Sequence, residues 1–231
     1  MEFKESENPL PGLLFGILLP SIVLLKLSGS EYLGAMGAFW LAISFPLLLS
    51  FYELRKSGKI SWIPALGGLQ VLATGAIGLL HADPLWIAVK EAILPLALGI
   101  AVWISSNGKQ PILHKLFLNE EIIDVQRIKL KLDELGLKNA LESAISRAHK
   151  IISFAFFLSA TLNFALARYL VQSPVGSEAF NQELGKMTAL SFPVIAVPSM
   201  MVMIWSYISF LRELARLLNV PMKDIIRSDE S

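Results

Sequence analysis

A succession of long apolar runs, each close to the length of a bilayer crossing, constrains this chain more than any other feature. A helix needs roughly 20 apolar residues to cross the hydrocarbon core. Six stretches approach that length: 11–27, 32–52, 62–80, 84–105, 149–170 and 187–210. The first is short for a full crossing and would have to extend or tilt. In lipid every backbone N–H and C=O must be satisfied within the protein, which leaves helices or closed barrels. Barrel strands alternate lipid-facing and lumen-facing residues, and these runs do not. The sequence therefore predicts an all-α integral membrane protein, a single domain built as a bundle of about six transmembrane helices in three hairpins.

Composition agrees with that class. Hydrophobic residues make up 54% of the chain and charged residues only 17%, against about 25% charged in ordinary globular domains. Mean hydropathy is +0.59. The absence of cysteine excludes disulfides, thiolate nucleophiles and cysteine-ligated metals. Residues 1–9 are acidic and polar without a cleavage-site pattern, so the first apolar run is expected to stay as a helix and not to leave as a signal peptide.

The net charge of +1 conceals a strong asymmetry along the chain. Arg55, Lys56 and Lys59 follow the second run. Lys109, Lys115, Arg127, Lys129, Lys131, Lys138 and Arg147 lie between the fourth and fifth, and Arg212, Arg216, Lys223 and Arg227 follow the sixth. The opposite connections, 28–31, 81–83 and 171–183, are short or carry acids. Cytoplasmic loops collect Lys and Arg, which predicts both termini inside. Basic residues distributed in this way are a topological signal and not a nucleic-acid footprint.

The long connection, 107–150, is the one segment with a soluble character. Ile112, Leu113, Leu116 and Phe117 form a short amphipathic set, and 120–135 mixes apolar and charged residues, including the period-two run Arg127 to Leu132. Helices lying at the membrane surface are expected, with a local strand as the competitor. Such a connection serves either as a solvated linker whose lysines enforce topology or as a docking element for anionic lipid or an envelope protein.

Ionisable residues inside apolar runs are costly and point to function, which singles out Lys90 and Glu91 in the fourth run. Glu91 shares a helical face with Ala88, Pro95 and Gly99, small or helix-loosening residues suited to close approach. Lys90 lies about 100° away around the helix. Glu91 is thus expected to meet a cation from another helix, with Lys186, Lys26 and Arg168 near the same outer depth. The pairing would either fix helix packing or form a proton- or ion-linked site.

Milder polar groups recur at one-turn spacing, Gln70 with Thr74 beside Gly67 and Gly78, and Ser159 with Asn163. Interhelical hydrogen bonds are the expected role. The even-numbered runs carry a weak echo of one another: an outer acid (Glu31, Asp83, Glu183) and an internal proline (Pro46, Pro95, Pro193), with Lys90 and Lys186 in the last two. Repeats of this kind build many transporters. His81, His114 and His149 are scattered without ligand spacing, and there is no phosphate loop or zinc-protease pattern. No catalytic residue, metal site or cofactor is expected.

The stretch from Asn163 to Pro174, with Glu178 to Asn181 and Leu184 to Pro193 after it, resembles a branch of uncharacterised bacterial membrane proteins. The layout of Asp83 to Lys90, Lys109 to Leu113, the Asn163 hairpin and Lys186 more distantly resembles the intracellular septation protein A family of inner-membrane proteins. The similarity covers most of the chain after about Gly75. It implies a multi-pass bacterial inner-membrane protein connected with envelope synthesis or division, and it supplies no catalytic residue. The connection 120–147 is longer and more highly charged than the family pattern. The leading expectation is a non-enzymatic protein of envelope maintenance or septation acting through lipid or protein contacts. The alternative is a small solute or ion transporter or channel with a charged site around Glu91.

Overall fold

The computed structural model describes residues 14–57, 73–74, 76–77, 80, 83–106, 108, 111–120 and 122–226. Among these the chain is helical, in the order α1 (Leu19–Lys26, entered through a π-turn at Leu14–Leu18), α2 (Gly34–Ser57), α3 (Leu85–Ser105) and the short α4 (His114–Phe117). Then come α5 (Val125–Glu134), α6 (Lys138–Leu170), α7 (Glu178–Ser191), a π-turn at Phe192–Ala196, and α8 (Val197–Leu218). Three helical stretches are long and apolar enough to cross a membrane: α3, α6 and the continuous run from Glu178 to Leu218. In α2 the apolar part is confined to Gly34–Leu49. Most of the expected third run, with Gln70, Gly67 and Gly78, lies outside the described residues.

Large apolar side chains line the outer surfaces of these helices. Ile104, Phe154 and Met201 are 71%, 62% and 65% exposed, and Ile100, Trp103, Ile204 and Trp205 are exposed with them. So many exposed large apolar side chains are unfavourable in water and natural against hydrocarbon. Prolines, each lacking a backbone donor, are carried within the helices. Pro46 and Pro95 sit inside α2 and α3, and Pro193 falls in the π-turn between α7 and α8.

The described residues form two compact units. One comprises the chain up to Ile93 with Leu162–Ile195, the other Leu94–Thr161 with the chain from Ala196 onward. In the first unit Val23, Leu24, Phe39, Ile87, Ala88, Phe180 and Leu184 make the core. There α1 lies against α7 at Gly185, where an added Cβ would meet Leu25 Cγ at 3.0 Å, Leu24 Cβ at 3.1 Å and the Ser21 carbonyl oxygen at 3.2 Å. A side chain there would push its neighbours back by a few tenths of an ångström, so glycine favours the close approach.

In the second unit the connection between α3 and α6 folds into a cap with its own core. Phe117, Ile123, Ile128 and Leu132 pack with Ile145, Ile152, Phe210 and Leu214. The run Arg127 to Leu132 is helix α5 and not a strand. Asp124 caps it by accepting from the Arg127 N–H at 3.0 Å. Its far end closes on Gly136, at φ +66°, with Leu137 N donating to the Leu132 carbonyl and Gly136 N to that of Asp133. This pairing of bonds needs the left-handed residue that glycine supplies. The helical phase then wins over the period-two pattern, because it buries Val125, Ile128 and Leu132 together.

The expected boundaries shift accordingly. The connection was expected to extend to 150, but α6 begins at Lys138 and runs 33 residues, so its first turns belong to the cap. The sixth run likewise continues past Phe210 to Leu218, because Phe210, Leu211, Leu214 and Ala215 complete the cap core.

Candidate functional site

Lys90 and Glu91 meet each other. Lys90 Nζ lies 2.6 Å from Glu91 Oε1, with side chains 12% and 26% exposed. This corrects the expectation that Glu91 reaches a cation on another helix. The long lysine stem bends across the roughly 100° that separates consecutive helical residues, so the sequence neighbours neutralise one another locally. Lys26, Arg168 and Lys186, the expected partners, are exposed, and none forms an ion pair among the described residues. On the same helix Ala88 and Gly99 are buried, and Pro95 is half-buried. The predicted polar contacts Thr74, Ser159 and Asn163 are half-buried.

Lys186 belongs with a different acid. Glu183 receives the Gln172 N–H at 2.9 Å and the Ser173 N–H at 2.8 Å on Oε2, and the Ser173 hydroxyl at 2.7 Å on Oε1. Burial raises this carboxyl, but those three donors and the nearby Lys186 charge outweigh it and hold the pKa below the ordinary value. Glu183 thereby ties α7 to the start of the α6–α7 loop, and the chain enters α7 from that loop through its Ser177 N-cap. Two residues before Glu183, buried Asn181 donates from Nδ2 to the Ala35 carbonyl of α2.

The cap is held by a buried histidine. His149 is fully buried on α6, with Nδ1 donating to the Ile145 carbonyl at 2.8 Å and Nε2 accepting the Leu113 N–H at 3.1 Å. One neutral tautomer satisfies both bonds. The ring also packs on Phe117, 5.1 Å between centroids, and Phe117 meets Tyr207 and Phe210 in turn. Ser206 on α8 donates to the Ala148 carbonyl at 2.9 Å, and Arg147 pairs with Glu213. His114, the other histidine here, has its pKa lowered by burial and by the Lys129 charge.

Beside this core a groove of about 560 Å³ opens between α5 and the segment after α8. Arg127, Lys131 and Lys223 line it together with Asp124, Asp224, Ile128, Leu218, Val220, Ile225 and Ile226. Asn219, at φ 51°, turns the chain there, and Ile226 bridges back to Ile123. No metal-holding group of His, Asp or Glu occurs among the described residues.

Sequence reasoning missed His149 and Glu183 as structural anchors. The signal for His149 was the buried stripe Leu141, Ala144, Ile145, Ala148 and Ile152, whose helical phase begins ahead of the apolar run and includes it. Glu183 carried no local signal, since its partners lie ten and eleven residues away in a loop. Comparison with protein-family models, with curated proteins and with solved structures gave no match.

Proposed function

We propose that this chain is a multi-pass bacterial inner-membrane protein of envelope maintenance or septation, non-enzymatic, which acts through the cap formed by α4, α5 and the ends of α6 and α8. About six crossings in three hairpins, with both termini and the cap in the cytoplasm, accommodate the apolar runs and the distribution of Lys and Arg. The observation that carries the reading is the cap itself. A connector that merely enforced topology would need no core, whereas this one buries Phe117, Ile123, Ile128 and Leu132 and leaves Arg127, Lys129 and Lys223 exposed. A rigid basic element at a membrane face suits contact with anionic lipid or an acidic protein surface.

The local Lys90–Glu91 pair supports a packing role for the intramembrane charges and weakens the transporter alternative, in which Glu91 would face a translocated solute. The test is deletion of the gene in its host, complemented by the wild-type chain, by a cap variant with Arg127, Lys129 and Lys131 changed to Gln, and by Glu91→Gln. Cell length, septum placement and detergent sensitivity are scored. Failure of the cap variant with rescue by Glu91→Gln supports the proposal. Full rescue by the cap variant and failure of a stable Glu91→Gln protein overturns it in favour of transport.

A further inference from the structure

We infer that the groove between α5 and the segment following α8 binds the phosphate headgroup of an anionic phospholipid. Three cations converge on it from two separate segments. Arg127 and Lys131 are one turn apart on α5, and Lys223 comes from the short 3-10 turn Met222–Asp224. None of the three has an ion-pair partner among the described residues. Asp124 and Asp224 share the lining, so the groove sets three cations against two carboxylates; Asp124 accepts the Arg127 N–H through Oδ1 as the α5 cap, and neither carboxylate forms an ion pair with the three cations. Cations that lack carboxylate partners in a walled groove are the ordinary means of holding a phosphate.

The wall chooses among phosphate carriers. Of the aliphatic residues in the lining, Ile128 and Ile225 are buried in the cap core while Leu218, Val220 and Ile226 stay partly or largely exposed, and among the described residues no aromatic ring lines the groove to stack a nucleobase. An amphiphile, charged at one end and aliphatic at the other, matches that lining.

This inference rests on the proposed membrane-facing role of the cap, but its test does not depend on any cellular phenotype. Full-length protein in neutral detergent is titrated with dihexanoyl phosphatidylglycerol, with dihexanoyl phosphatidylcholine and with inorganic phosphate, and binding is followed by native mass spectrometry. The phosphatidylglycerol is expected to bind at least tenfold more tightly than either of the others. Lys131→Gln combined with Lys223→Gln should weaken it by about tenfold or more. Arg212→Gln, which removes an exposed cation of α8 outside the groove, should leave it unchanged. Equal weakening by Arg212→Gln would show general charge attraction and overturn the site. Equal affinity for inorganic phosphate would overturn the lipid assignment, and so would absence of phosphatidylglycerol binding by a folded wild-type protein. Should the deletion strain show no envelope defect, the groove would still bind lipid in this assay, so the two readings fail separately.

Discussion

Gly99 offers a direct measure of how closely α3 and α6 pack within the second unit. A Cβ added there would lie 2.6 and 2.7 Å from two ring carbons of Phe157 and 3.2 Å from Phe156 Cβ. Carbon atoms prefer about 3.5–4.0 Å, so the ring would have to retreat by roughly 1 Å or the helices part. Overpacking of this kind costs about 1–3 kcal/mol. Against it stands the helix-propensity gain of alanine over glycine, about 1 kcal/mol. The clash wins, and Gly99→Ala should destabilise the protein by about 1 kcal/mol. In a Phe157→Leu background the ring is gone, and the same change should become neutral or stabilising. The coupling between the two positions, about 1–3 kcal/mol, isolates the contact from propensity. Unfolding of the detergent-solubilised protein by SDS titration provides the assay. Trp103, whose ring lies 6.5 Å from that of Phe157, is a local fluorescent reporter. Equal effects of Gly99→Ala in both backgrounds would refute the packing argument.

Four further outcomes follow from the same geometry. Gly185→Leu should lower thermal stability more than Gly185→Ala, because the Ser21 carbonyl on the far side is backbone and cannot swing away; equal melting temperatures would count against close α1–α7 contact. His149→Ala strands the Leu113 N–H and opens a hole beside Phe117, and it should cost about 2–4 kcal/mol, whereas His114→Ala should cost less; proteolysis of the cap in membranes would report the difference. Because the folded-state pKa of Glu183 is depressed, its contribution is present above the ordinary carboxylate value, about 4.3, and is lost as pH falls through the lower folded value; Glu183→Gln should flatten the acid limb of a melting-temperature profile, and an unchanged limb would reject the clamp. Glu91→Gln removes the carboxylate that Lys90 meets, so adding Lys90→Met should change stability less than it does in the wild-type chain, whereas adding Lys186→Met should be additive; coupling to Lys186 and none to Lys90 would restore the interhelical pairing.

The orientation is open to a separate check. A cysteine introduced at Lys131 in this cysteine-free chain should resist a membrane-impermeant maleimide in intact cells and react once the membrane is opened. Labelling from outside would invert the topology.

The sequence by itself determined the helical class and the presence of membrane-length apolar stretches, because lipid leaves the backbone so few ways to satisfy its polar groups. The runs at 84–105 and 149–170 reappear within α3 and α6, and the sixth within the Glu178–Leu218 stretch. These are properties of composition over tens of residues, and no partner is needed to read them. The partners themselves were decided only in three dimensions. Several cations were candidates for Glu91 by sequence, and which one it meets depends on side-chain conformation, which placed Lys90 at its carboxylate. Helices were legible in the connection, but the core they bury was not. Arg127 to Leu132 fits both a strand and a helix until Phe117, Leu214 and Ile225 supply the surface against which one phase buries its apolar residues. Burial against neighbours settles what local pattern leaves open, and the same burial brought Arg127, Lys131 and Lys223, distant in the chain, to one groove.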